Sequence, residues 1–119
     1  MSNAKLMVTM VLAGVCALSN SSAAMAGKRK IDGQKLFKEH CKPCHLAESE
    51  HGEVTPMSLI QDQWQRFFDE KFEETHKAVN DPNQDNKPVT ETLSEEELDE
   101  LVKWTIDHAA DSEQPMTCG

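Results

Sequence analysis

A chain of 119 residues is long enough for one small domain and too short for two of ordinary size. Its 21 acidic residues outnumber its 12 basic residues, and the formal net charge of −9 argues against a nucleic-acid partner. A surface this acidic favours partner proteins with basic docking surfaces and is repelled by anionic membranes.

The first 26 residues have the pattern of a secretory signal peptide. Lys5 precedes an apolar run over residues 6–18, and a stretch of small residues ends in Ala24-Met25-Ala26. The run is shorter than the roughly 20 residues that a membrane-spanning helix needs. We therefore expect cleavage after Ala26 and no stable membrane insertion. The mature domain, residues 27–119, is then periplasmic or otherwise exported, with a net charge of −10 because Lys5 is the one charged residue removed.

Two helices are predicted in the first half of the mature chain, separated by a surface loop. Residues 32–44 have helical spacing, with Asp32 as the N-cap. Residues 46–56 show no periodicity and predict the loop. Helical spacing resumes from Ser58 to about His76, with an apolar side formed by Ile60, Trp64, Phe67, Phe68 and Phe72.

A third helix is predicted near the end of the chain. Residues 80–92 are rich in turn-forming residues and contain two prolines, so they cannot be helical throughout. Ser94 and Glu97 form a capping box that begins the third helix, which continues to about Ala110. The tail over residues 111–119 should be irregular. Since no stretch alternates apolar and polar residues, we predict an all-α domain with about three main helices.

The segment Cys41-Lys42-Pro43-Cys44-His45 has the C-x-x-C-H spacing of a c-type haem attachment site. Two thiols in this pattern add to the haem vinyl groups, and the adjacent histidine binds the iron. A thioredoxin-like dithiol is a weaker interpretation, because it requires a strand before the motif and a helix beginning at it. A zinc site would lack a second pair of ligands. The sequence therefore predicts one covalently attached haem c, with His45 as an iron ligand.

The chain resembles the class I cytochrome c family around this motif and in the last helix. Gly33 and Phe37 are similar to the family's first helix, and Leu101-Val102-Lys103-Trp104 is similar to its last helix. The resemblance implies that Trp104 packs against Gly33 and Phe37. It also implies that the carbonyl of Pro56 accepts a hydrogen bond from the ring of His45 and so orients this ligand. A small cytochrome c-like fold around one haem is expected.

The resemblance fails at the second axial ligand of the iron, which in the family is usually a methionine before the last helix. Residues 80–92 contain neither methionine nor histidine. We predict His76, which follows the aromatic helix and could enter a pocket lined by Phe68 and Phe72, although in an ideal continuous helix it drifts from the apolar side. The alternatives are Met116, Met57, His51 and His108, or a five-coordinate iron.

These features predict an electron carrier that exchanges electrons with redox partner proteins and is not an enzyme. The alternatives are a haem enzyme or gas-binding sensor with an open iron position, a module of a larger redox complex, and the less favoured dithiol protein. Cys118 is the odd cysteine of the mature chain. In an exported protein it predicts a disulfide-linked dimer, a reactive thiol or a thiolate near the haem.

Overall fold

The computed structural model describes residues 29–116. The predicted signal peptide and Cys118 lie outside the described residues. Within them are four α-helices: α1 (Gly33–Leu36), α2 (Gln61–Glu70), α3 (Phe72–His76) and α4 (Glu95–Asp107). Two short strands, β1 (Asn80–Asp81) and β2 (Lys87–Pro88), lie between α3 and α4. None of the helices in this part of the chain has the length and apolar character needed to cross a membrane.

The first helix begins as predicted and then widens before the cysteines. The Asp32 carboxylate accepts a hydrogen bond from the Lys35 backbone nitrogen at 3.2 Å and caps α1. From Phe37 to Cys41 the helix continues as a π-helical segment, in which the Lys42 nitrogen donates to the Phe37 carbonyl at 3.1 Å. The helical turns therefore end at Cys41, three residues earlier than the periodicity indicated. Such widened turns often occur at functional sites.

The predicted second helix is two helices in the structure. Lys71, with φ −126° and ψ −25°, ends α2 and precedes α3. Helix α2 buries Trp64, whereas α3 buries Phe72 and ends at His76. The position of His76 is therefore set by the short helix α3 and not by a continuous helical repeat from Trp64.

A small hairpin interrupts the segment that was predicted to be irregular. Strands β1 and β2 are antiparallel, with Asn80 opposite Pro88 and Asp81 opposite Lys87. Asp85 and Asn86 in the connecting turn have positive φ values of 54° and 57°, which short polar side chains tolerate. The all-α prediction is thus correct for the dominant structure, with this two-stranded ladder and a fourth helix as corrections.

Helix α4 closes the fold by crossing α1. Its capping box is confirmed: the Ser94 nitrogen donates to the Glu97 carboxylate at 2.9 Å, and the Glu97 nitrogen donates to the Ser94 hydroxyl at 3.2 Å. At the crossing, the rings of Phe37 and Trp104 lie 5.4 Å apart. Leu101, fully buried, packs with Leu36 and Phe37 in the central apolar cluster. The packing implied by the resemblance is therefore observed.

Candidate cofactor site

Two adjoining cavities open beside the C-x-x-C-H motif. The first has a volume of 350 Å³ and the second 360 Å³, and each is within the range of about 300–1,000 Å³ that is usual for cofactor sites. The first contains both cysteines of the motif, and the second is lined by the aromatic side of α2. Five residues line both cavities: Cys41, His45, Phe72, Thr75 and His76.

The cysteine side chains are placed by the end of the first helix and the turn that follows it. The Cys44 nitrogen donates to the Cys41 carbonyl at 3.2 Å, and the His45 nitrogen donates to the same carbonyl at 3.1 Å. This tight turn brings both thiols and the imidazole of His45 to the wall of one cavity. Burial, and next the charge of Asp81, raise the pKa of the Cys41 thiol to about 12, so this sulfur is a neutral thiol in the protein without an attached group.

His45 is oriented by a backbone carbonyl, but not by the one that was expected. Its Nδ1 lies 3.3 Å from the carbonyl oxygen of Gly52. The carbonyl of Pro56 instead accepts a hydrogen bond from the Trp64 indole Nε1 at 2.8 Å. The predicted contact between Pro56 and His45 is therefore corrected, because Pro56 faces the core of α2 while the loop after the motif turns Gly52 toward the imidazole.

His76 lines the same two cavities as His45. The two ring centres are 6.3 Å apart. Two metal–imidazole bonds of about 2.1 Å, with about 1.1 Å from each nitrogen to its ring centre, give a separation of about 6.4 Å when one metal lies between the rings. The observed spacing therefore fits one iron held between His45 and His76.

Hydrogen bonds leave the correct nitrogen of His76 free for a metal. Its Nδ1 donates to the Phe72 carbonyl at 2.9 Å, so Nε2 of the neutral ring remains as the electron-pair donor. The ring also stacks on Phe72, with centres 4.8 Å apart. The pKa of His76 is lowered, first by burial and then by the nearby rings of His45 and His51, although the hydrogen bond to the Phe72 carbonyl acts to raise it. The neutral form that binds metals is thus favoured.

The alternative ligands fit the cavity less well. His51 is also 6.3 Å from His45 between ring centres, but it is exposed, and within residues 29–116 no hydrogen bond fixes its ring. His108 stacks on Trp104 and pairs through Nδ1 with the Trp104 carbonyl at 2.8 Å. Met57 is 39% exposed. The Met116 nitrogen donates to the His108 carbonyl at 3.2 Å, so the tail folds onto the end of α4.

His45 and His76 can hold a metal ion only together with a larger cofactor that supplies the remaining ligands. No group of three or more histidine, cysteine or acidic side chains among residues 29–116 is arranged to hold a metal ion by itself. An iron held by these two imidazoles would need further ligands, which the nitrogens of a porphyrin would supply. Thiols at Cys41 and Cys44 and the apolar walls formed by Phe67, Phe68 and Phe72 also fit a covalently attached haem.

One pair in the wall of the first cavity was missed by the sequence reasoning. His40, which directly precedes the motif, has Nδ1 3.3 Å from the Asp81 carboxylate. Their side chains are 7% and 1% exposed. They are 41 residues apart in the chain, and no local pattern connects them.

Comparison with known proteins agrees with this chemistry. The model of one family, described as cytochrome c oxidase, cbb3-type, subunit III, matches residues 28–104. No curated protein and no solved structure shows significant similarity to the chain.

Proposed function

Because the chain belongs to the family of the cbb3-type cytochrome c oxidase subunit III and is a c-type cytochrome domain with covalently bound haem c, we propose that it is an exported monohaem electron carrier whose iron is bound by His45 and His76. When bound, the haem supplies the one-electron couple of its iron. The chain attaches it through Cys41 and Cys44 and orients both imidazoles through backbone carbonyls.

The close pair of His45 and His76 is the observation that carries this proposal. Their 6.3 Å spacing and their Nδ1 contacts to the Gly52 and Phe72 carbonyls leave both Nε2 atoms available to one iron. With both axial positions filled by protein, the iron has no position for a substrate or gas. Outer-sphere electron transfer remains, with a lower reduction potential than histidine and methionine ligands would give.

Export is proposed from the sequence of residues 1–26, and it agrees with the chemistry of the site. Cleavage after Ala26 leaves Gly27 as the first residue of the mature protein, in the periplasm or another exported location. The acidic surface favours redox partners with basic docking surfaces. Pairing of two copies through Cys118 stays a prediction.

A stable place in an oxidase complex is the second candidate function, and the family match favours it. The matched description names an oxidase subunit, so the protein would then exchange electrons within an assembly. A purified protein that is monomeric and exchanges electrons with separate partners supports the free carrier, whereas co-purification with oxidase subunits from its own cells supports the complex.

The proposal is tested on holoprotein purified from the exported fraction of the cell. Intact mass gives the first residue and the number of haems, with one haem on residues 27–119 expected. Absorption spectra of both oxidation states should be low-spin, unaffected by carbon monoxide and without the near-infrared band of methionine ligation. High-spin iron that binds carbon monoxide in the wild type would instead indicate an enzyme or a gas sensor.

Histidine and methionine variants assign the second ligand. His76→Ala should turn the iron high-spin or make it bind carbon monoxide, while His51→Ala and His108→Ala keep the wild-type spectrum. An unchanged spectrum in His76→Ala together with high-spin iron in Met116→Ala would assign the ligand to the tail. An unchanged spectrum in His76→Ala together with high-spin iron in His51→Ala would assign the ligand to the loop after the motif.

A further inference from the structure

A buried pair of side chains, His40 and Asp81, connects the haem-attachment helix to the segment that follows His76. His40 lies one residue before Cys41, at the end of the π-helical segment, and Asp81 lies in β1. The Asp81 carboxylate also accepts a hydrogen bond from the Asn83 nitrogen at 2.9 Å. His40 lines the cavity that holds Cys41, Cys44, His45 and His76, so its ring is part of the cofactor wall.

Hydrogen bonding determines which nitrogen of His40 can take up a proton. Nδ1 lies 3.3 Å from both Asp81 Oδ2 and Thr92 Oγ1. The Thr92 hydroxyl donates to the Val89 carbonyl at 2.8 Å and is left as an acceptor. Both neighbours of Nδ1 therefore accept, so Nδ1 carries the hydrogen of the neutral ring and Nε2 receives the additional proton.

Nε2 of His40 has no hydrogen-bond partner among the described residues, so it is the ring nitrogen that remains for an added proton. The side chain is 7% exposed and belongs to the wall of the first cavity.

From this arrangement we propose that reduction of the haem is coupled to uptake of one proton by the His40–Asp81 pair. One electron enters from the donor protein and converts ferric to ferrous iron, and one proton enters from water and adds to Nε2 of His40. On oxidation by the acceptor protein, both leave. The inference rests on the proposed carrier function and extends it from electron transfer to joint transfer of electrons and protons.

Electrostatics gives the reason for the coupling. An added electron lowers the charge of the cavity by one, and in a weakly polar wall this charge acts on a nearby imidazole much more strongly than it would in water. The Asp81 carboxylate stabilises the resulting imidazolium. Asp81 Oδ2 lies 3.3 Å from Nδ1 of His40, and the ring of His40 itself lines the cavity.

The other groups around His40 are less suited to take the proton. The titratable and charged groups around His40 come from three places. Asp81 lies in β1, and Cys41 and Lys42 directly follow His40 in the chain. The others line the cavity: Cys44, His45, His51 and His76. The cysteines are held in thioether bonds, and His45 and His76 are proposed to be iron ligands. His51 is exposed to solvent and lacks a carboxylate partner within the described residues.

The test is the reduction potential of the holoprotein measured between about pH 5 and pH 9, the range in which histidines titrate. In the wild type it should fall as the pH rises, because the proton needed for reduction becomes scarcer. A tenfold change in proton concentration changes the reduction equilibrium by up to tenfold, which corresponds to about 59 mV per pH unit. His40→Gln should abolish most of this slope, and the His108→Gln control should keep it.

Asp81→Asn provides a second variant, since its amide oxygen can still accept from the Asn83 nitrogen. It should raise the potential at the alkaline end, by removal of a buried negative charge, and reduce the slope.

Electrochemical reduction of the wild type in weakly buffered solution, with a pH-indicator dye, should show proton uptake without any mutation. Thus the proposal remains testable if His40→Gln does not accumulate.

Three outcomes would overturn the coupling: a wild-type potential independent of pH, an unchanged slope in His40→Gln, or loss of the slope in His51→Gln instead. A reversible low-spin couple with a flat pH profile would contradict the coupling alone. A protein without covalent haem or without a reversible couple would contradict the carrier function as well.

Discussion

The carbonyl oxygen of Pro56 and the indole nitrogen of Trp64 form the buried polar contact that fixes the start of α2 against the core. Their distance is 2.8 Å, and both residues are buried. The indole satisfies a carbonyl that has no access to water, which is a common requirement for buried backbone groups. The same contact leaves the Gly52 carbonyl to orient His45.

Trp64→Phe should therefore destabilise the holoprotein by about 1–3 kcal/mol, because it keeps most of the apolar ring but leaves the Pro56 carbonyl without its donor. Urea unfolding followed by haem absorbance measures the change. Arg66→Ala, an exposed substitution in the same helix, should change the stability by less than about 0.5 kcal/mol. Equal stability of the two variants would show that the indole bond contributes little.

At the level of single residues, the sequence indicated those functional groups whose chemistry is local. Cys41, Cys44 and His45 lie within five residues of the chain, so this motif, taken with the export signal and the helix before it, predicted the haem. Two other contacts depend on how loops return to the site. His45 is oriented by the carbonyl of Gly52 and not by that of Pro56, and His40 pairs with Asp81. The partners are 7 positions apart in the contact of His45 with Gly52 and 41 positions apart in the contact of His40 with Asp81. No pattern in one sequence specifies such contacts.

At the level of elements, helix starts were predictable and helix interruptions were not. Side-chain caps at Asp32 and Ser94 act over three residues and are visible as short patterns. The widened turn before Cys41 and the break at Lys71 carry no such pattern, because they depend on the packing of the finished fold. Both interruptions adjoin the site: one precedes the thiols, and the other precedes the helix that ends at His76.

The crossing of α1 and α4 depends on the absence of a side chain at Gly33. A Cβ atom there would collide with Cβ of Trp104 and lie 2.7 Å from the Glu100 carbonyl oxygen. Neither atom is the flexible end of a side chain. Alanine normally stabilises a helix by about 0.5–1 kcal/mol relative to glycine, but here the collision outweighs this gain.

Gly33→Ala is accordingly expected to destabilise the protein by about 1–3 kcal/mol, the usual cost of an added methyl group in a packed interior. Thermal or urea unfolding of the holoprotein provides the measurement. Gln34→Ala, at an exposed position of the same helix, should be neutral or slightly stabilising. A stabilised Gly33→Ala variant would mean that the two helices separate easily.

At the scale of the whole molecule, the protein alone supplies a small core. The buried apolar residues of the described chain are Leu36, Phe37, Trp64, Phe72, Val89, Leu101 and Ala109. Between them lie the two cavities, which a haem would fill with apolar surface. A domain with so few buried apolar residues gains stability from a cofactor that fills its interior. The small size of the mature domain, residues 27–119, already indicated this dependence, because so short a chain buries little apolar surface by itself.

Loss of one attachment bond should therefore affect the whole fold and not the site alone. In Cys41→Ala or Cys44→Ala, the haem keeps one thioether bond at most, so it leaves the cavity more readily and the apolar walls lose their filling. We expect a severe decrease of red, covalently haem-bearing protein in both variants, measured by haem staining of a denaturing gel and by the absorbance of the purified fraction. Cys118→Ala, outside the motif, is the matched control and should accumulate normally. Normal accumulation of holoprotein in both motif variants would refute covalent attachment through Cys41 and Cys44, and with it the dependence of the core on the haem.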